Sequence, residues 1–180
     1  MTKIEEFAPL VWLSKFSPTN EPLNSETLEP ILSFTLIWNL FETVACNRNG
    51  SIRSIDESIN NANDHGLLKS EDFSDFLIFF QSRYVQDRDI DQLPEYLLSR
   101  RGCSNIESDK IRLLQDVLQG NSTAIGEIVS SLLFIAYRIR NNLFHGEKNL
   151  FTLDTQLDLF RAVNFLLAQY LDIAYPGIRG

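Results

Sequence analysis

The sequence predicts an all-α fold, and two observations support this prediction. Apolar residues recur at intervals of three and four along several segments, which is the spacing of one face of a helix. No segment shows the sustained alternation of apolar and polar residues that is typical of a half-buried strand, and no glycine-rich nucleotide motif or internal repeat is present. We therefore expect a helical bundle.

Length and composition indicate a single domain over residues 1–180. With 44% apolar and 22% charged residues, the composition is that of an ordinary folded protein. Residues 1–25 are predicted to form an N-terminal strap or short helix, interrupted by Pro9, and residues 30–175 the core of the bundle. The formal net charge of -8 argues against a broadly basic surface for nucleic acid, so any site for a polyanion must be local.

The sequence also indicates the environment of the protein. Its two cysteines are isolated, so we expect neither a metal site nor a disulfide framework, and no cofactor motif is present. The N-terminus lacks the order of a signal peptide, and no apolar run approaches the roughly 18 residues of a membrane helix. These features predict a cytoplasmic protein without a membrane segment.

The first predicted helices are placed by their apolar periodicity and their capping residues. Pro30 suits the first turn of a helix that reaches about Cys46. Ser54 and Glu57 form a capping-box pattern for a polar helix that ends near Asn63. Ser70 is the candidate N-cap of the next helix, which continues to Tyr84.

The second half of the chain contains the longest periodic segment. A short helix is predicted at 94–100 and another at 108–119, where Gly120 is the stop signal. A long apolar helix follows, with Ser122 as candidate cap and Gly146 as its C-terminal glycine. A closing helix then begins at Thr152 or Asp154 and ends before 176–177.

The end of the long helix gathers groups suited to phosphodiester chemistry. Residues 138–148 hold one of only two histidines of the chain, together with arginines and asparagines. Histidine exchanges protons near neutral pH, whereas arginine stays charged and presents a planar fork that fits phosphate. The alternative is structural, since positive side chains near a helix C-terminus complement the helix dipole and Asn before Gly is common helix-end chemistry.

Helical geometry separates the two principal residues of this segment. Arg138, Asn141 and His145 fall within about 60° of one another, opposite the apolar stripe, whereas Arg140 lies about 140° from His145 on an ideal helix. Arg140 therefore approaches His145 only by side-chain reach, by fraying of the helix, or through a second copy of the helix. Because RNA cleavage by the 2'-hydroxyl needs both a base and an acid, a homodimer through this helix would supply two imidazoles. Phe134, Tyr137 and Phe144 make the helix apolar almost all round, as in a central or interface helix.

The segment from Arg140 to Gly146 resembles the Arg, four residues, His signature of the HEPN superfamily, in the variant with Asn after Arg and Gly after His. The segment 36–42 resembles the early helix of that family, which often carries a polar or acidic residue facing the motif. The resemblance implies a compact HEPN-like bundle that dimerises, with a long motif-bearing helix followed by a closing helix. Many members are metal-independent endoribonucleases of toxin-antitoxin or phage-defence systems, and others only bind.

The resemblance also implies roles for individual residues. His145 would be the general base or acid, Arg140 would hold the phosphate, and Asn141 would orient the site. Glu42 would pair with Arg140 or hold the tautomer of His145, with a solvated carboxylate as the alternative. The candidate RNA-binding residues are Arg138, Asn142, Lys148 and Asn39, and for Lys148 a solvated surface position is the alternative.

We therefore expect a metal-independent endoribonuclease with RNA as its partner. The first alternative is a non-catalytic helical module that binds RNA, a nucleotide or a protein, which the acidic net charge supports. The second is an antitoxin or immunity subunit, held to its partner by apolar helix faces. If the chain is the ribonuclease, an antitoxin or regulatory protein is a further possible partner.

Overall fold

The computed structural model describes residues 8–16, 25–85, 105–144 and 156–178, and within these ranges every regular element is helical. The all-α prediction is therefore confirmed. The α-helices are α1 (Pro9–Leu13), α2 (Ser25–Ala45), α3 (Ile52–Asp64), α4 (Ser70–Tyr84), α5 (Asn105–Leu118), α6 (Ile125–Phe144) and α7 (Leu157–Ala174). Short 3-10 turns at Ser14–Phe16 and Pro176–Ile178 follow α1 and α7.

Helix α6 occupies the centre of the bundle. It contacts α3, α4, α5 and α7, and every residue from 128 to 136 is buried. Such burial on all sides requires an almost entirely apolar sequence, which is what this helix has. Of the two sequence interpretations, the central helix is the one that the structure shows.

Helices α2 and α7 pack along each other through aromatic side chains. The rings of Phe34 and Phe160 meet edge to face with centroids 5.6 Å apart, and those of Phe41 and Tyr170 do so at 6.0 Å. All four residues are fully buried. Edge-to-face pairs of this kind stabilise a core beyond the area that they bury, by roughly 0.5–1.5 kcal/mol each. This contact fixes α2, and with it Glu42, against the rest of the bundle.

The early helices begin at other residues than those predicted. Helix α1 starts at Pro9, which therefore opens a helix rather than interrupting one. Helix α2 starts at Ser25, so Pro30 lies inside the helix and not in its first turn as predicted. The residues before Pro30 are too polar to show the apolar periodicity that would have marked the earlier start. The cap of α3 is Ser51, whose hydroxyl accepts from the backbone N–H of Ser54 in a capping box, so the predicted Ser54–Glu57 box is wrong.

The later helices also differ at their ends. Lys69 is the N-cap of α4 and makes no side-chain cap, while Ser70 is its first helical residue. The hydroxyl of Ser122 bonds to the carboxylate of Glu127 instead of an N–H of α6. Gly120 has a φ of 78°, in the left-handed region expected for a stop after α5. The helix predicted at 94–100 and the predicted starts at Thr152 and Asp154 lie outside the described residues.

None of the helices in the described ranges is long and apolar enough to cross a membrane.

Candidate functional site at the α2–α6 junction

Arg140 projects from the last turn of α6 toward α2 and is held there on three sides. Its Nη1 donates to Oδ1 of Asn141 at 3.1 Å, and its Nη2 lies 3.5 Å from Oε1 of Glu42. The ring of Phe144 lies under the guanidinium, 5.5 Å from its central carbon to the centroid. These contacts restrict a side chain that remains 31% exposed, so the guanidinium is positioned and still accessible.

The guanidinium keeps most of its hydrogen-bonding capacity. Arginine has five N–H donors, and among the described residues the bond to Asn141 is the one hydrogen bond that Arg140 makes. The contact with Glu42 is an ion pair at longer distance, and Nε is buried without an acceptor in these ranges. The Nη atoms are therefore able to bind an anion without giving up an internal hydrogen bond.

Glu42 is placed by the turn that follows α2. Asn47 and Arg48 both adopt left-handed conformations, with φ of 47° and 63°, and the N–H of Arg48 donates to the carbonyl oxygen of Glu42 at 2.8 Å. The turn brings Gly50 against the side chain of Glu42, where any Cβ would overlap the carboxylate. A non-glycine residue is rarely stable at positive φ, so two in succession indicate that surrounding contacts hold this turn.

The pairing proposed for Glu42 is present, and the alternative of a freely solvated carboxylate does not hold. The side chain of Glu42 is 22% exposed and its oxygen faces Arg140. Burial, aided by the charge of Glu42, raises the pKa of the nearby thiol of Cys46 to about 11, against a hydrogen bond from Ser54 that lowers it. The buried Cys46 is therefore a neutral thiol at physiological pH.

Arg138 does not have the exposed position that the helical wheel suggested. It is 6% exposed, and its Nη1 lies 3.2 Å from Oε1 of Glu107 on α5. The face of α6 opposite the main apolar stripe is covered by another helix rather than by solvent. The guanidinium of Arg138 is thus engaged in a buried ion pair rather than exposed, and its expected contact with RNA stays a prediction.

The remaining candidate residues divide between buried, exposed and undescribed positions. Asn142 is 2% exposed, a buried position, and its expected contact with RNA stays a prediction. Asn39 is exposed on α2, one turn before Glu42, and its carbonyl oxygen accepts from the hydroxyl of Thr43 at 2.9 Å. His145 and Lys148 lie outside the described residues, so their expected roles stay predictions.

The burial of α6 limits how a second copy could approach it. From Ile128 to Ala136 the helix is covered by its own chain, and a homodimer through this stretch would require the bundle to open. Its first turn reaches the surface at Glu127, and its last turns do so through partly buried Tyr137, Arg140 and Leu143 and the 57% exposed Phe144. The expected homodimer through this helix stays a prediction.

Sequence reasoning missed the role of Gly50 and did not connect Trp38, expected in the core or at an interface, with this junction. Gly50 was not a candidate residue, although its lack of a side chain is what admits Glu42. Trp38 is 2% exposed, packs its ring 6.5 Å from that of Tyr137, and leaves its indole N–H without an acceptor among the described residues. Its spacing of four residues before Glu42 was the available signal, since such pairs share a helix face.

Searches of protein-family models, of curated proteins and of solved structures find no significant match to this chain.

Proposed function

We propose that the chain is a metal-independent endoribonuclease of the HEPN type, which cleaves RNA by attack of the 2'-hydroxyl on the adjacent phosphate. The observation that supports this most directly is the guanidinium of Arg140, which is positioned by Glu42, Asn141 and Phe144 and still reaches solvent. An arginine held in this way is prepared to bind a phosphate at little cost in side-chain entropy.

In this proposal Arg140 stabilises the charge that develops on the phosphate, and His145 transfers protons. The 2'-hydroxyl loses a proton to a base, its oxygen attacks phosphorus, and the 5'-oxygen leaves with a proton from an acid. The products are a 2',3'-cyclic phosphate and a free 5'-hydroxyl. Because one imidazole cannot give and accept a proton at the same instant, the second comes from another copy, joined near the exposed end of α6.

Glu42 has a restraining role in this proposal. Its carboxylate partly neutralises Arg140 in the absence of RNA, and its 3.5 Å separation is long for a charged hydrogen bond. A phosphate group is a competing acceptor, since two of its oxygens accept two parallel N–H bonds from a guanidinium. Binding of RNA therefore replaces the long ion pair between Arg140 and Glu42 by shorter hydrogen bonds between Arg140 and the phosphate. A phosphate that does not form these two bonds does not displace Glu42.

The test is cleavage of end-labelled RNA in the presence of a chelator, with the product ends identified. We expect His145→Ala and Arg140→Ala each to reduce the rate by about 100-fold or more, the usual range for loss of an acid-base group or charge stabiliser. The chain offers matched controls in His65→Ala and Arg161→Ala, since both residues are exposed and distant in sequence from the motif. Cleavage that survives both motif substitutions in folded protein would remove the mechanism.

The second candidate is a non-catalytic module that binds RNA, a nucleotide or a protein. The net charge of -8 and the neutralisation of Arg140 by Glu42 favour it. RNA that stays intact on prolonged incubation, while a gel-shift assay shows binding that Arg140→Ala abolishes, would support this function instead. An antitoxin-like subunit would assemble only with the product of a neighbouring gene.

A further inference from the structure

A polar cleft lies at the opposite end of α6 from Arg140. It has a volume of about 630 Å³ and lies between α3, α5 and the first turns of α6. Ser130, at its base, precedes Arg140 by ten residues, which corresponds to about 15 Å along a helix. The volume is in the range of sites that bind small molecules. This cleft is therefore a second site, separate from the α2–α6 junction.

Three polar side chains form a closed triangle at the base of the cleft. The ammonium of Lys110 donates to Oδ1 of Asp56 at 2.5 Å and to Oγ of Ser130 at 2.6 Å, and Oγ of Ser130 donates to the same Oδ1 at 3.2 Å. The side chains of Ile55 and Phe134 also border this triangle. Because the bonds that Asp56 receives within the described ranges go to Oδ1, its Oδ2 keeps its full accepting capacity.

Two carboxamides on α3 extend this polar lining. Asn60 and Asn63 follow Asp56 by four and seven residues, which places all three along one face of α3. Neither carboxamide has a hydrogen-bond partner in the part of the chain that the structure describes, and each offers both donors and an acceptor. The opposite walls contribute the aliphatic side chains of Leu113 and Ile125. The cleft thus combines polar groups that are available to hydrogen-bond a ligand with apolar walls.

The charges of the lining select the class of ligand. Lys110 is already neutralised by Asp56, and Glu127 adds a second carboxylate, so the walls carry an excess of negative charge. A phosphate is disfavoured there. A flat, uncharged group with N–H donors and ring acceptors at its edge matches the unspent carboxylate oxygen and the carboxamides, while its apolar faces match the aliphatic walls.

We propose that this cleft binds a nucleobase with an exocyclic amino group. Carboxylates accept from such an amino group, and asparagine recognises the donor-acceptor edge of adenine with two hydrogen bonds. The base belongs either to a free nucleoside or to an unpaired residue of RNA, and the chemistry of recognition is the same. This proposal does not depend on RNA cleavage at Arg140, since binding in the cleft is measured by itself.

The experiment is calorimetric titration of the full chain with adenosine, cytidine, inosine and uridine. Inosine and uridine carry a carbonyl oxygen where adenosine and cytidine carry the amino group. We expect adenosine or cytidine to bind saturably. The nucleoside with the carbonyl oxygen, inosine for adenosine or uridine for cytidine, should bind at least tenfold more weakly. The 5'-monophosphate of the nucleoside that binds should also bind at least tenfold more weakly. In Arg140→Ala, which lacks the guanidinium proposed to bind RNA phosphate, a short single-stranded oligonucleotide that binds more tightly than the nucleoside identifies RNA as the source of the base, and weaker binding identifies the free nucleoside.

The asparagines of α3 give a matched set of variants. Asn60→Ala and Asn63→Ala are expected to weaken binding by tenfold or more, whereas Asn61→Ala, a neighbour of the same type outside the cleft lining, leaves it unchanged. All three side chains are exposed, so the variants are expected to fold. No saturation by adenosine or cytidine at millimolar concentration, equal binding of the carbonyl counterparts, or an equal loss in Asn61→Ala would each overturn the proposal.

Discussion

The buried ion pair of Arg138 gives the sharpest prediction, because it separates two arginines that are only two residues apart. Replacing Arg138 by Met removes the guanidinium and leaves the carboxylate of Glu107 without it, in a position where that side chain is 17% exposed. Breaking a buried pair by removing one partner costs about 3–5 kcal/mol. Since Glu107 retains some access to water, we expect the lower end, about 3 kcal/mol.

The assay is urea unfolding followed by circular dichroism, supported by thermal unfolding. For a domain of this size, about 3 kcal/mol corresponds to a fall in Tm of roughly 6–12 °C. The control is Arg161→Met, which removes an exposed pair with Asp158 and is expected to change stability by less than about 0.5 kcal/mol. Replacing both partners, in Arg138→Met with Glu107→Leu, should recover most of the loss, because no uncompensated charge remains.

The same variants test where RNA binds. RNA affinity of folded Arg138→Met should equal that of the wild type, whereas Arg140→Met should bind RNA more weakly with little loss of stability. A variant at Arg138 that is as stable as the wild type and binds RNA poorly would refute the reasoning. It would restore the surface position that the helical wheel suggested.

Three further predictions concern the core and the α2–α3 turn. Gly50→Ala should destabilise the protein by about 1–3 kcal/mol, because its added methyl group displaces the carboxylate of Glu42. Adding Glu42→Asp, which has a shorter side chain, should recover part of this loss, and a double-mutant cycle in urea measures the recovery. Because the pKa of Cys46 is raised from 9.0 to about 11 on folding, its contribution to stability is complete below pH 9.0 and is lost as the pH rises toward 11. Urea titrations between pH 8 and pH 11 should therefore show a steeper decline for the wild type than for Cys46→Ala, and equal slopes would contradict the assignment. Phe160→Ala should cost about 3–5 kcal/mol, against less than about 1 kcal/mol for the exposed Phe165→Ala, and similar losses would refute the packing of α2 on α7.

The site could be predicted from the sequence only in part. The arginine of the motif and an acidic residue within an otherwise apolar segment were both recognisable, and the structure brings Arg140 and Glu42 together. Arg138 was assigned to the surface because a helical wheel describes one helix and not its neighbours, and Asn142 was a candidate for RNA contact without any argument about its face. Both are buried because α6 is surrounded by other helices, and Glu107 of α5 pairs with the guanidinium.

The polar cleft is a still clearer example of what pattern alone does not reveal. Asp56, Lys110 and Ser130 are separated by 54 and 20 residues in sequence, and nothing in their local sequence marks them as a group. Their meeting depends on the packing of α3 and α5 against the start of α6. Likewise, the sequence shows Gly50 only as one residue of a polar turn, and the path of that turn is what places it against Glu42.

The sequence by itself determined the helical class and limited α6 to a central or an interface helix, because apolar periodicity reports how much of each helix must leave water. It did not determine helix starts in polar turns, since capping residues compete over a few positions with similar energies. Only the tertiary structure decided which charges are buried, which remain available to a ligand, and which distant side chains share a cleft. Those outcomes depend on the neighbours of each helix face, and neighbours are set by packing of the whole chain.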